Sequence, residues 1–104
     1  MQSFTALLSL LFLPLVTLPA VSAQGALICG TTGWDILGAT PAFYALTNPA
    51  YSTAAACKKL CTSNKCGSFA VGNGTCLLYV GGVASTLNAN TASLYAYYDA
   101  PCIV

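Results

Sequence analysis

The chain has 104 residues, of which 57% are hydrophobic and only 5% are charged. Lys58, Lys59 and Lys65 stand against Asp35 and Asp99, with no Arg, Glu or His. So weak a charge pattern offers no footprint for nucleic acid and no polybasic segment for anionic lipid. It also lacks the histidine base on which most nucleophilic and acid–base catalysis rests.

Phe4 to Leu13 is an apolar run, followed by Pro14, Pro19 and Val21-Ser22-Ala23. That is the pattern of a secretory signal peptide, residues 1–23, cleaved before Gln24. A transmembrane anchor would need about 20 apolar residues, and the two prolines interrupt this run. Residues 24–104 then form a single secreted domain, of a size at which a hydrophobic core alone gives only a few kcal/mol. All six cysteines follow the cut. In a short exported chain they read as a disulfide framework.

In chain order, Gln24 to Cys29 is expected to form a first strand, and Gly30-Thr31-Thr32-Gly33 a turn. Trp34 to Gly38 sets one large aromatic residue beside one acid, and Ala39 to Thr53 is expected to be irregular. Ser52 or Thr53 is placed to cap a helix running from about Thr53 to Thr62 and stopping at Ser63-Asn64. Two short apolar runs follow, Cys66 to Val71 and Cys76 to Val80. Gly72-Asn73-Gly74 between them is a strong hairpin signal. Gly81-Gly82 breaks the second strand, and Val83 to Ala92 is expected to be a loop or loose extended segment. Ser93 to Asp99 is expected to be the last strand. Leu94, Ala96 and Tyr98 would face one way; Tyr95, Tyr97 and Asp99 would face the other.

Geometry limits the disulfide pairing. Residues four apart on a helix have Cβ atoms about 5–6 Å apart, whereas a disulfide needs about 3.5–4.5 Å. Cys57 and Cys61 are therefore expected to pair outward, Cys61 with the nearer Cys66 and Cys57 with Cys76. Cys29 and Cys102 remain to tie the first strand to the last. In the chain-entropy model such loops of roughly 74, 20 and 6 residues are worth about 4.4, 3.3 and 2.2 kcal/mol. The elements read in this way, a helix followed by a hairpin with a first and a last strand tied by the outer pair, make an α+β chain under three bridges.

The helix with Cys57-x-x-x-Cys61, followed by Cys66-x-x-Phe69 and Cys76-x-Leu78, resembles the PAN/apple domain. The outer pair Cys29 and Cys102 resembles the apple subtype. The closing Tyr95-x-x-Tyr98-Asp99-x-x-Cys102 run is similar to short secreted apple-type proteins of fungi. The resemblance implies a helix on a small antiparallel sheet, acting as a binding module for proteins or carbohydrates.

No cofactor or metal is expected. The central cysteine spacing is not a zinc pattern, and an oxidising compartment would consume the thiols. Asp35 and Asp99 each lie near a member of the Cys29–Cys102 bridge, but they read as strand-end acids before they read as a glycosidase pair. The candidate contacts are aromatic: Trp34, Phe43, Tyr44, Tyr51, Tyr79, Tyr95, Tyr97 and Tyr98. Trp34, Phe69, Leu78 and Leu94 are expected in the core, with Tyr95 and Tyr97 on the ligand-facing surface. Asn73-Gly74-Thr75 is an N-glycosylation sequon on the hairpin tip. The function expected is a secreted or wall-associated binding module for a protein or glycan, with no enzymatic activity. A small cysteine-rich effector or inhibitor using Ala39 to Asn48 is the alternative, as is a wall or surface structural protein.

Overall fold

The computed structural model describes residues 26–104, and the expected signal peptide lies outside them. Among the described residues a six-stranded, wholly antiparallel sheet carries one α-helix. The strands are β1 (Cys29–Asp35), β2 (Tyr44–Thr47), β3 (Ser68–Gly72), β4 (Thr75–Tyr79), β5 (Leu87–Ala89) and β6 (Ala96–Asp99). Their order across the sheet is β2-β4-β3-β6-β1-β5. The helix, α1, spans Ala54–Ser63, and short 3-10 turns occupy Pro49–Tyr51 and Val83–Ser85. No helix among the described residues is long and apolar enough to cross a membrane.

Thr53 caps α1, its hydroxyl accepting from the Ala56 amide at 3.2 Å. Asn64 closes the other end, donating its side-chain amide to the Leu60 carbonyl at 2.8 Å. A hydroxyl cap at the start and an Asn at the stop satisfy backbone groups that a helix end otherwise leaves orphaned. The buried stripe of the helix is Cys57 and Cys61. It packs over β3 and β4, where Phe69, Val71, Cys76 and Leu78 meet it. The bridges are Cys57–Cys76, Cys61–Cys66 and Cys29–Cys102, the pairs expected from spacing, and they leave no free cysteine.

The β3–β4 hairpin turns on Asn73 (φ 51°) and Gly74 (φ 73°), with Gly72 paired to Thr75. Two successive left-handed residues make the type I′ turn that Asn-Gly favours, because its twist matches that of the flanking strands.

Several expectations from the sequence are corrected. Of the expected first strand Gln24 to Cys29, Ala26 to Ile28 are not strand and residues 24–25 lie outside the described residues; β1 begins at Cys29, and the supposed turn Gly30 to Gly33 is its middle. Gly30 sits at φ +91° where the β1–β6 register shifts, so it marks a bulge. Gly33 is there for close approach: a Cβ on it would lie 2.3 Å from Leu87 Cδ1 and 2.4 Å from the Asn88 carbonyl oxygen. Glycine inside a strand has these two meanings as well as the turn. The segment read as irregular contains β2, which pairs with β4 from Tyr44↔Leu78 to Thr47↔Thr75. The segment after Gly82, expected as a loop or a loose extended stretch, contains the short strand β5, and the last strand is shorter than expected, starting at Ala96.

The middle of the sheet is covered on both faces. Opposite the helix, Ala70, Tyr79, Val83 and Tyr97 form a second buried cluster. The Val83–Ser85 turn closes over it, held by the Val83 amide donating to Asp99 Oδ1 at 2.9 Å. The other oxygen, Asp99 Oδ2, accepts from the Ile28 amide at 2.8 Å. One carboxylate thus ties the start of the domain and the 80s turn to β6. With both faces covered, the central strand β3 is buried from Ser68 through Val71.

Candidate functional site

β1 and β6 pair through Thr31↔Tyr97 and Thr32↔Ala96. Beyond that the Gly33 amide still donates to the Tyr95 carbonyl at 3.1 Å. Trp34 and Leu94, the residues flanking this last bond, come at the end of the ladder. Both are expected in the core from the sequence, and both are exposed, Trp34 by 45% and Leu94 by 68%. The physical reason is coverage: α1 packs on β3 and β4 and makes its main contacts there, leaving this end of β1 and β6 without a lid. Trp34 is nevertheless held. Its ring meets Tyr95 edge-on at 6.4 Å with an interplanar angle of 62°, and its backbone pairs with Asn88 of β5.

Successive side chains of a strand leave on opposite faces, so Asp35 turns away from Trp34 and towards the second cluster. There Asp35 Oδ1 accepts from the Tyr79 hydroxyl at 2.7 Å and the Tyr97 hydroxyl at 2.5 Å. The two phenol rings stack at 5.8 Å. Burial, and then the hydrogen bond to Asp35, push both phenols above the ordinary tyrosine range. They therefore remain donors throughout the neutral range. The double bond to one oxygen fixes the end of β1 and with it the aromatic residue next to Asp35. Asp35 thus anchors the strand end that carries Trp34.

The residues chosen from sequence fare unequally. Tyr95 is half-buried and forms the supporting edge of Trp34. Tyr97 is only 2% exposed and is no contact residue; the Val83–Ser85 turn and Asp35 cover the face expected to be wet. Tyr79 is likewise buried, and Tyr98 stacks on Phe69 at 5.1 Å on the helix side. Phe69 and Leu78 are in the core as expected. Phe43 and Tyr44 are exposed at the β2 edge, and Ile36 and Leu37 are exposed between β1 and β2. Asp35 and Asp99 occupy separate hydrogen-bond networks, each with two donors.

Reasoning from sequence misses Asp35 as the anchor of the site. A signal exists: buried tyrosine hydroxyls need acceptors, and a chain with six Tyr has just two carboxylates to supply. Comparison of the chain with protein-family models, curated proteins and solved structures gives no match.

Proposed function

We propose that the chain is a secreted, disulfide-clamped binding module of the PAN/apple type, engaging an uncharged glycan through the exposed aromatic surface at Trp34. The observation that carries this reading is Trp34 itself, the chain's one tryptophan, 45% exposed on a strand end that two tyrosine hydrogen bonds hold in place. An exposed indole at a rigid position offers a flat apolar face, with little ordering cost on binding. Asn88, paired with Trp34 across the strand, is an exposed amide suited to sugar hydroxyls. Both carboxylates already serve as acceptors for internal donors, which supports recognition over catalysis. Three bridges support the secreted setting, since disulfides persist where thiols are oxidised.

The test is a glycan array and a polysaccharide pull-down with the disulfide-intact domain and with Trp34→Ala. Binding that W34A abolishes, with an unchanged CD spectrum, supports the reading. Empty arrays, or equal binding by W34A, refute it. A second reading, a protein-blocking effector, is favoured by the apolar residues between β1 and β2: Leu37 is fully exposed, with Ile36 and Phe43 nearby in sequence. It predicts one tight protein partner, lost on Leu37→Ser and Phe43→Ser and indifferent to W34A.

A further inference from the structure

We infer that Asn73 is the attachment point of an N-linked oligosaccharide, which stands at the same end of the sheet as Trp34. The inference shares the proposed export of the chain but not its glycan-binding role. Asn73-Gly74-Thr75 fits the acceptor pattern, and a match in sequence is common; the structure adds four observations. Asn73 is exposed at the turn of the β3–β4 hairpin. Among the described residues no hydrogen bond engages its side-chain carboxamide, although its backbone carbonyl accepts from the Thr75 hydroxyl at 3.4 Å. The space beside it is open, since a Cβ built on Gly74 would meet no atom within 4 Å. The φ of 51° at Asn73 belongs to a two-residue turn that needs no side-chain contact to form.

The location gives the modification a consequence. Val71 pairs with Ala96, and Ala96 with Thr32. The next residues outward are therefore the hairpin turn, the Leu94–Tyr95 segment and the end of β1. A Cβ on Gly72 would lie 2.0 Å from the Leu94 carbonyl oxygen, so the turn and Leu94 are in direct contact. An oligosaccharide on Asn73 grows out beside Leu94, an apolar side chain 68% exposed, and shields it from water and from other chains.

The chemistry uses a lipid-pyrophosphate-linked oligosaccharide in the secretory compartment. The Asn73 Nδ2 attacks the anomeric carbon, a C–N bond forms, and the C–O bond to the pyrophosphate breaks. Lipid pyrophosphate leaves with the electron pair, and the proton lost by the amide nitrogen passes to solvent.

The experiment expresses the full chain in a eukaryotic secretory host, behind its own first 23 residues and in parallel behind an established leader. The secreted protein is reduced and digested with trypsin, and peptide 66–104 is weighed before and after amidase deglycosylation in heavy-oxygen water. The expected result is a series of hexose-spaced masses on this peptide, collapsing to a single species that carries heavy oxygen at position 73. Thr75→Ala abolishes the series and Thr75→Ser retains it. Secreted, disulfide-intact protein with unmodified Asn73, or with only the one-dalton gain of Asn-Gly deamidation, overturns the inference. Export by the second leader alone refutes the signal peptide, and the masses of the protein so exported then decide the glycan by the same criteria.

Discussion

Replacing Asp35 with Ala tests whether the second face of the sheet is held by its polar centre. The substitution removes the one oxygen that accepts from both Tyr79 and Tyr97, whose side chains are 1% and 2% exposed. A hydrogen bond to a charged acceptor is worth about 1.5–3 kcal/mol, and a buried hydroxyl left without a partner costs about 1–3 kcal/mol. The two bonds converge on a single atom, and Asp35 itself is exposed, so water enters where the carboxylate was. Both facts set the cost at the low end, about 2–3 kcal/mol for the pair. With an m-value near 1 kcal/mol/M for a small domain, the urea midpoint of the disulfide-intact protein falls by about 2–3 M, read by far-UV CD. Asp35→Asn keeps an acceptor oxygen and costs about 1 kcal/mol. The decisive measurement is the cycle with Tyr97→Phe. In the parent that change costs about 1 kcal/mol; in the Asp35→Ala background it costs nothing or stabilises, because the orphaned hydroxyl is gone. Additive effects, or a midpoint shift in D35A below about 0.5 M, would refute the reasoning.

Alkaline titration gives a second test. The folded phenols of Tyr79 and Tyr97 lie above the ordinary value of about 10. Their contribution to stability is complete below that value and is lost as pH rises beyond it, because the unfolded chain sheds those protons first. Spectrophotometric titration of the folded protein is expected to show two of its six tyrosines ionising only on unfolding; six equivalent groups near the ordinary value would contradict it. Core and edge separate by substitution: Phe69→Ala costs about 3–5 kcal/mol, whereas Leu94→Ala, at 68% exposure, stays within about 0.5 kcal/mol. Gly33→Ala drives a methyl into Leu87 and the Asn88 carbonyl, so hydrogen exchange is expected to speed up in β5 before the rest of the sheet. Removing Cys57–Cys76 is expected to destabilise more than removing Cys61–Cys66, since the sequence separations are 19 and 5 and the entropic difference is about 1 kcal/mol; equal midpoints would argue against the loop account.

The parts of the fold legible in the sequence are those set by local chemistry. Thr53 and Asn64 bound the helix, Asn73-Gly74 turns the hairpin, and a spacing of four on one helix face forces Cys57 and Cys61 to seek other partners. What could not be read depends on what lies above and below a strand. The alternation in β6 is real: Tyr98 packs on Phe69 at the helix side, and Tyr97 goes the other way onto Tyr79. Neither side is wet, contrary to expectation. No pattern within Ala96–Asp99 says that a turn from earlier in the chain will close over it; that depends on Asp99 accepting from Val83. β1 is hidden for a different reason. Glycine reads as a turn when only the backbone's freedom is considered, and Gly33 is required by a neighbour, Asn88, that is far away in sequence.

The same polar economy shapes what the surface can recognise. Asp99 accepts from Ile28 and Val83, Asp35 accepts from two tyrosines, and the Lys58 ammonium donates to the Cys102 carbonyl. Three of the five charged side chains are therefore engaged in holding the domain together. Lys59 and Lys65 remain, both exposed, too few to steer a charged partner against physiological screening. On the proposed glycan-binding reading, selectivity comes from shape, apolar area and neutral hydrogen-bond donors and acceptors. Those features meet where β1 runs past the reach of the helix: an indole braced by one tyrosine, set beside an amide, on a strand whose other face is anchored by a carboxylate between two phenols. A free strand end would sacrifice part of any binding energy to ordering itself. Anchored from beneath, this one presents its aromatic face already ordered.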